Sequence, residues 1–183
     1  MSLKGFTIRP ATIDDFDSVL TLVIAQNMAD YDEPMISADT LRERWQSSAL
    51  SVAQDTWVAV AFDGELEGYA ELLHDSSTQL VPSIYLARGH QRKDIGAYLL
   101  QLAETRASLC TTDASSVTLI GRASEHNSIG KQVFEDAGYA HRLGFLMMER
   151  EMTEPPEAAQ WAPGIAVREF VLGQDEQATY LAD

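Results

Sequence analysis

The chain has a single cysteine, Cys110, among its 183 residues. An internal disulfide is therefore excluded, and a reducing compartment, the cytoplasm, is the simplest expectation. Basic residues are scarce: 13 Lys and Arg stand against 28 Asp and Glu, for a formal charge of −15. Phosphate recognition needs clustered Lys and Arg, so no nucleic-acid partner is expected. Docking on an anionic membrane is disfavoured for the same reason. No apolar run approaches the length of a bilayer span. No secretory signal is visible, because Met1-Ser2-Leu3 leads straight into a strand pattern. The four histidines, His74, His90, His126 and His141, include no pair at the helical spacing that would hold a metal. What remains is an ordinary globular composition, 45% apolar and 22% charged, and a length that suits one domain or one domain plus a fragment. The acidic balance suits a cationic or amine-bearing small substrate.

The pattern along the chain is strand and helix in turn. Phe6–Arg9 alternates as a first strand, and Asp14 or Asp15 can cap a helix to about Ala29. Ser37 caps a second helix carrying Leu41 and Trp45. Trp57–Phe62 and Leu66–His74 are two strands joined by the hairpin signal Asp63-Gly64. Asp75-Ser76-Ser77 marks another turn, and Leu80–Leu86 reads as the next strand. Ile95, Leu99, Leu102 and Arg106 recur at helical spacing. Val117–Ile120 is a short strand, Asn127–Ala137 a helix closed by Gly138, and Leu143–Met152 a last strand.

The stretch Leu86–Leu100, LARGHQRKDIGAYLL, is strand end, short loop and helix start. The first turn of such a helix presents unpaired N–H groups and the positive end of its dipole, which suits phosphate. Gly96 and Ala97 let a ligand approach the backbone, and Arg92 and Lys93 add positive charge. This stretch resembles the Gln/Arg-x-x-Gly-x-Gly/Ala loop of the GNAT superfamily of acyl-CoA-dependent N-acyltransferases. Gln91 and Gly96 match, and Asp94 stands at the first glycine. Downstream, Asn127–Tyr139, NSIGKQVFEDAGY, resembles the family's Asn-x-x-Ala-x-x-x-Tyr-x-x-x-Gly-Phe. There Asn127 and Gly138 match, Gly130 takes the alanine position, and Phe134 takes that of the tyrosine.

The resemblance covers about Phe6–Met152. It implies an α/β (α+β) fold, a mixed twisted sheet with helices on both faces. It implies transfer of an acetyl group from acetyl-CoA, as co-substrate, to a primary amine of a small molecule or peptide. Backbone groups of Leu86 and Arg88 would hold the pantetheine arm and polarise the thioester. Gln91, Arg92, Lys93, Asp94, Ile95, Gly96 and Ala97 would form the pyrophosphate loop, with Asn127 and Phe134 also at the cofactor. Asp94 repels phosphate from that loop, but is also a preferred helix cap. Family members protonate the departing thiolate with a tyrosine hydroxyl, which Phe134 lacks. No glutamate lies on the strand before the loop. Glu71 and Tyr85 are therefore the candidate catalytic groups, with water as an alternative base. The acidic loop Asp30-Tyr31-Asp32-Glu33 would attract an amine or simply face solvent. The departures favour an alternative function, a catalytically degenerate domain that scaffolds or regulates a second repeat. A homodimer is left open.

Residues 153–183 differ in character. Glu154–Ala159 reads as a linker. Ile165–Phe170 followed by Asp175-Glu176 then repeats the pattern of Phe6–Ala11 followed by Asp14-Asp15. The tail is either the start of a second GNAT-like repeat or a terminal strand and helix packed on the domain or on a partner.

Overall fold

Asp63-Gly64 turns the chain where a φ of 93° is open to glycine at little cost, and the Gly64 N–H donates to the Ala61 carbonyl at 3.0 Å. The strands on either side, β2 (Thr56–Ala61) and β3 (Leu66–His74), belong to a sheet that has five strands among the described residues. β1 (Phe6–Pro10) flanks β2, while β4 (Gln79–Leu86) and β5 (Thr118–Leu119) follow β3. Spatial order is β1-β2-β3-β4-β5. The first three pairings are antiparallel and the last is parallel. These features come from a computed structural model that describes residues 5–76, 78–87, 93–110, 117–146, 148 and 150–182.

Helices cover both faces of the sheet, as expected. One face carries Val58 and Tyr69 and packs on α1 (Phe16–Tyr31) and α2 (Ala38–Gln46) through Val19, Val23, Leu41 and Trp45. The other carries Ala59, Ala70 and Leu72 and packs on α4 (Lys93–Leu109) through Ile95, Leu99 and Ala103. Strands buried on both faces lose the alternation of a half-exposed sheet, which is why β2 reads as a near-continuous apolar run. α5 (Ser128–Asp136) lies on α4 and β4 through Val133, Phe134, Leu100 and Ile84.

Local chemistry fixes the helix starts. Thr12 and Asp15 form a reciprocal cap around a 3-10 turn, Ile13–Asp15, that leads into α1. Arg9 holds the same carboxylate with two hydrogen bonds of 2.7 Å. Ser37 Oγ accepts from the Thr40 N–H at 3.1 Å, and Asn127 Oδ1 accepts from the Gly130 N–H at 2.8 Å. Gly138, with φ 88°, ends α5. Neither that 3-10 turn nor α3 (Val52–Asp55), a single turn held by the Ser51 N–H donating to the Asp55 carboxylate, is foreseen in the sequence.

Two units account for the chain's compactness, Met1–Arg142 and Leu143–Asp183. The second unit corrects two sequence expectations. Neither Leu143–Met152 nor Ile165–Phe170 contains a strand among its described residues. An alternating apolar pattern becomes a strand only where a neighbouring edge takes its N–H and C=O groups, and this unit has no described strand to supply one. Phe145 and Leu146 are 87% and 89% exposed. The helix anticipated after Asp175 is present as α6 (Glu176–Ala182). Ahead of it, Arg168 clamps Asp175 with two hydrogen bonds of 2.6 Å. The Val171 N–H donates to that carboxylate at 2.8 Å, as the Thr12 N–H does to Asp15 at 2.8 Å.

Candidate functional site

The sheet parts between β4 and β5. β4 pairs with β3 from Leu80 to Leu86, but with β5 only at Gln79↔Thr118 and Leu80↔Leu119. The last rung past that pairing is the Ile120 N–H donating to the Leu80 carbonyl at 2.9 Å. Among the described residues, none of β5 pairs with β4 from Val81 to Leu86. Phe134 of α5 packs at this parting. Its buried ring belongs to the Leu100–Val133–Phe134 cluster against which Ile84 of β4 packs, and it lies across Gly121, just past β5, where a Cβ would stand 2.4 Å from the ring. Only glycine leaves room for the phenyl group there. Tyr139 packs edge-on to that ring at 5.0 Å.

α1 reaches the parting from the other side. The Leu86 N–H donates to Gln26 Oε1 at 2.8 Å, between residues far apart in the chain. Gln26 Nε2 in turn approaches Asp30 Oδ2 at 3.5 Å, and Asn127 Nδ2 approaches the same oxygen at 3.4 Å; both are at the long end for hydrogen bonds. Ser124 Oγ donates to the Asp30 carbonyl at 3.2 Å. A polar chain thus runs from the β4 edge, through α1, to the cap of α5.

The predicted cofactor residues divide into groups. Arg88, Gln91 and Arg92 lie outside the described residues. Leu86 contributes its N–H to the β4 edge. Lys93 opens α4 and forms an ion pair with Asp136 of α5, so part of its charge is engaged away from the loop. Asp94 is exposed in the first turn of α4 rather than at its cap, because the helix already begins at Lys93. Ile95 is wholly buried beneath the sheet. Gly96 is buried too, and its missing Cβ would stand 3.0 Å from Val133 and 3.1 Å from Leu86. Its small size therefore brings α4 against α5 and β4. Ala97 is exposed. Asn127 caps α5 and touches Asp30.

Glu71 and Tyr85 sit on the α1–α2 face. Glu71 is 0% exposed. Its Oε1 accepts from Arg44 Nη1 at 2.6 Å and its Oε2 from the Tyr69 hydroxyl at 2.9 Å. That hydroxyl also accepts from Trp45 Nε1 at 3.1 Å. Burial pushes the Glu71 carboxyl above the usual carboxylate range, against the pull of Arg44 and Tyr69. Tyr85 stacks on Tyr69 at 5.9 Å, and burial, helped by the Glu71 charge, pushes its hydroxyl up to about 12. Both Glu71 oxygens are committed, so the group anchors α2 to the sheet.

Sequence reasoning missed Gln26, Arg44 and Tyr69. One signal was available for the first. Val19 and Val23 set the buried stripe of α1, and Gln26 and Asp30 continue it at spacings of three and four. Polar residues on a buried stripe need partners, and here the partners are the β4 edge and the cap of α5. Of the acidic loop, Asp30 turns to these groups, whereas Tyr31, Asp32 and Glu33 are exposed.

No family model matches the chain. The chain is 29% identical over 179 residues to the mycothiol acetyltransferase of Cellulomonas flavigena, covering 97% of this chain and 49% of that protein. It spans about half the length of the curated relative it matches. A GCN5-related N-acetyltransferase from Sphaerobacter thermophilus superposes with a TM-score of 0.78 at 27% identity, over 100% of this chain and 58% of that one. The spermidine N-acetyltransferase of Vibrio cholerae, solved with CoA and spermine, superposes at 0.55 with 18% identity, over 76% and 83%; that likeness speaks to the fold alone.

Proposed function

We propose that the chain, which is similar in fold and sequence to GCN5-related N-acetyltransferases, transfers an acetyl group from acetyl-CoA to a primary amine of a small molecule or peptide. The observation that carries this reading is the parting of β4 from β5. A strand edge without a neighbour recruits extended amide-bearing chains, and the pantetheine arm is such a chain. The residues fit it. Leu86 offers an edge N–H, and Phe134 gives the gap an apolar wall. The start of α4 lies close in sequence, past Gln91 and Arg92, for the pyrophosphate.

In the reaction the amine lone pair attacks the thioester carbon, the C–S bond breaks, and sulfur leaves as a thiolate. Phe134 has no proton to give, so the thiolate takes one from water, and the acetylated nitrogen loses its extra proton to water. Glu71 and Tyr85 hold the acceptor face in shape and do not exchange protons with the substrate. Asp30, in the cleft network, supplies negative charge toward a cationic acceptor.

Thermal unfolding with acetyl-CoA tests this. At about 100 times the dissociation constant the ligand stabilises the fold by about 2.7 kcal/mol, a rise in Tm of roughly 5–10 °C at this size. Release of free thiol across a panel of amines then identifies the acceptor. No shift at millimolar cofactor rejects the reading.

One observation favours a second reading, a repeat whose chemistry belongs to a partner repeat. The Arg168–Asp175 clamp reproduces the Arg9–Asp15 clamp, down to the backbone N–H on the same carboxylate. Cofactor binding without thiol release for any amine would support it.

A further inference from the structure

We infer that Gln26 is a positioning residue that stands in for the ligand, holding the β4 edge N–H until a carbonyl oxygen of the acyl-CoA takes it. The inference rests on the reading of the β4–β5 parting as the acyl-CoA site. Leu86 is the last residue of β4, and its N–H points away from β3, because the bond that continues the β3 ladder is made by the next N–H, that of Ala87, to the Glu67 carbonyl at 3.0 Å. The Leu86 N–H therefore belongs to the open edge. A buried N–H without an acceptor costs free energy. The chain meets that cost with Gln26 Oε1 at 2.8 Å. The glutamine side chain ends in a primary amide, so the edge meets much the same carbonyl group that a neighbouring strand would offer.

An extended ligand lying along Val81–Leu86 must offer a carbonyl oxygen to the same N–H, and two acceptors cannot both sit on its axis. The glutamine then swings away. Asp30 Oδ2, already 3.5 Å from Gln26 Nε2, is the group on its own helix that receives it. Exchange of one amide acceptor for another is nearly neutral in energy. The edge therefore stays satisfied before and after binding, and the half-buried Gln26 sets how readily the ligand enters.

Two variants with opposite expectations test this. Gln26→Ala removes the competitor and should tighten CoA or acetyl-CoA binding by about three- to tenfold, the range of one net hydrogen bond. Gln26→Glu puts a charged acceptor on the same N–H and should weaken binding by at least as much. Isothermal titration with each ligand reads both. A gain with acetyl-CoA alone identifies the acyl oxygen as the displacing group, and a gain with both ligands identifies an amide carbonyl of the arm. If Gln26 only supported the fold, both variants would lose affinity together. Loss in both, or no change in either, overturns the inference while leaving the acyl-CoA reading intact. A wild-type chain that binds neither ligand overturns both.

Discussion

At the scale of single residues, charge and ring placement make separable predictions. Asp15 is held down to about 2, from an ordinary value of 3.8, first by its hydrogen bonds with Arg9 and then by Thr12. A carboxylate with a depressed folded-state pKa contributes stability that is present above its unfolded value and is lost as pH falls through the folded one. The contribution should therefore be full above about pH 4 and vanish near pH 2. Arg9 is 40% exposed, and solvent screening limits the effect to about 1 kcal/mol. Asp15→Asn should lower stability by that amount at neutral pH and by nothing near pH 2, as urea unfolding at several pH values would show. Phe134 is the second test. Its ring already lies at the β4–β5 parting, so Phe134→Tyr adds a hydroxyl to that ring. With a proton donor near the thiolate, kcat should rise by about tenfold to a hundredfold, with KM for acetyl-CoA unchanged. An unchanged kcat would show that thiolate protonation does not limit the rate.

At the scale of elements, α2 is tied to the sheet by the ion pair of half-buried Arg44 with buried Glu71. Arg44→Ala strips the partner from a fully buried carboxylate and should cost about 3–5 kcal/mol, or a fall in Tm of roughly 6–20 °C. A loss below 1 kcal/mol would mean that Tyr69 alone satisfies Glu71. This pair also shows the limit of the sequence. Hairpins, caps and helix stripes were legible because they are local: Asp63-Gly64, Ser37 and Gly138 act within a few residues of themselves. Glu71 is legible in the sequence as a candidate catalytic carboxylate on β3. Its partners come from α2 and from Tyr69, two residues along on the same face, and only the packing of α2 shows that both oxygens are taken. Gly96 reads in the sequence as room for a ligand at the backbone; in the fold a Cβ there would meet Val133 and Leu86, and no local pattern tells a ligand from a packed side chain. The strands expected at Leu143–Met152 and Ile165–Phe170 failed for a related reason, since an alternating pattern does not say where its partner edge lies.

At the scale of the molecule, the two compact units are chemically unlike. Met1–Arg142 holds the sheet and every described residue of the cleft. Leu143–Asp183 leaves large apolar side chains open, with Leu172 at 85% exposure. A chain ending at Arg142 should melt within about 2 °C of the full chain, less than about 1 kcal/mol at this size, and keep its affinity for acetyl-CoA. The full chain should associate with rising concentration in gel filtration, and the shortened one should not, because the exposed apolar surface goes with the tail. A large loss of Tm on shortening would instead make the tail part of the domain. The seam between β4 and β5 has a further consequence, in time rather than in space. Two residue pairs hold β5 to the sheet, whereas β3 is laddered to neighbours on both sides. Local opening follows the density of such bonds. The amide protons of Thr118 and Ile120 should therefore exchange with deuterium well before those of Ala70 and Leu72, and a ligand that bridges the parting should slow them, turning two backbone amides into a clock for occupancy of the cleft.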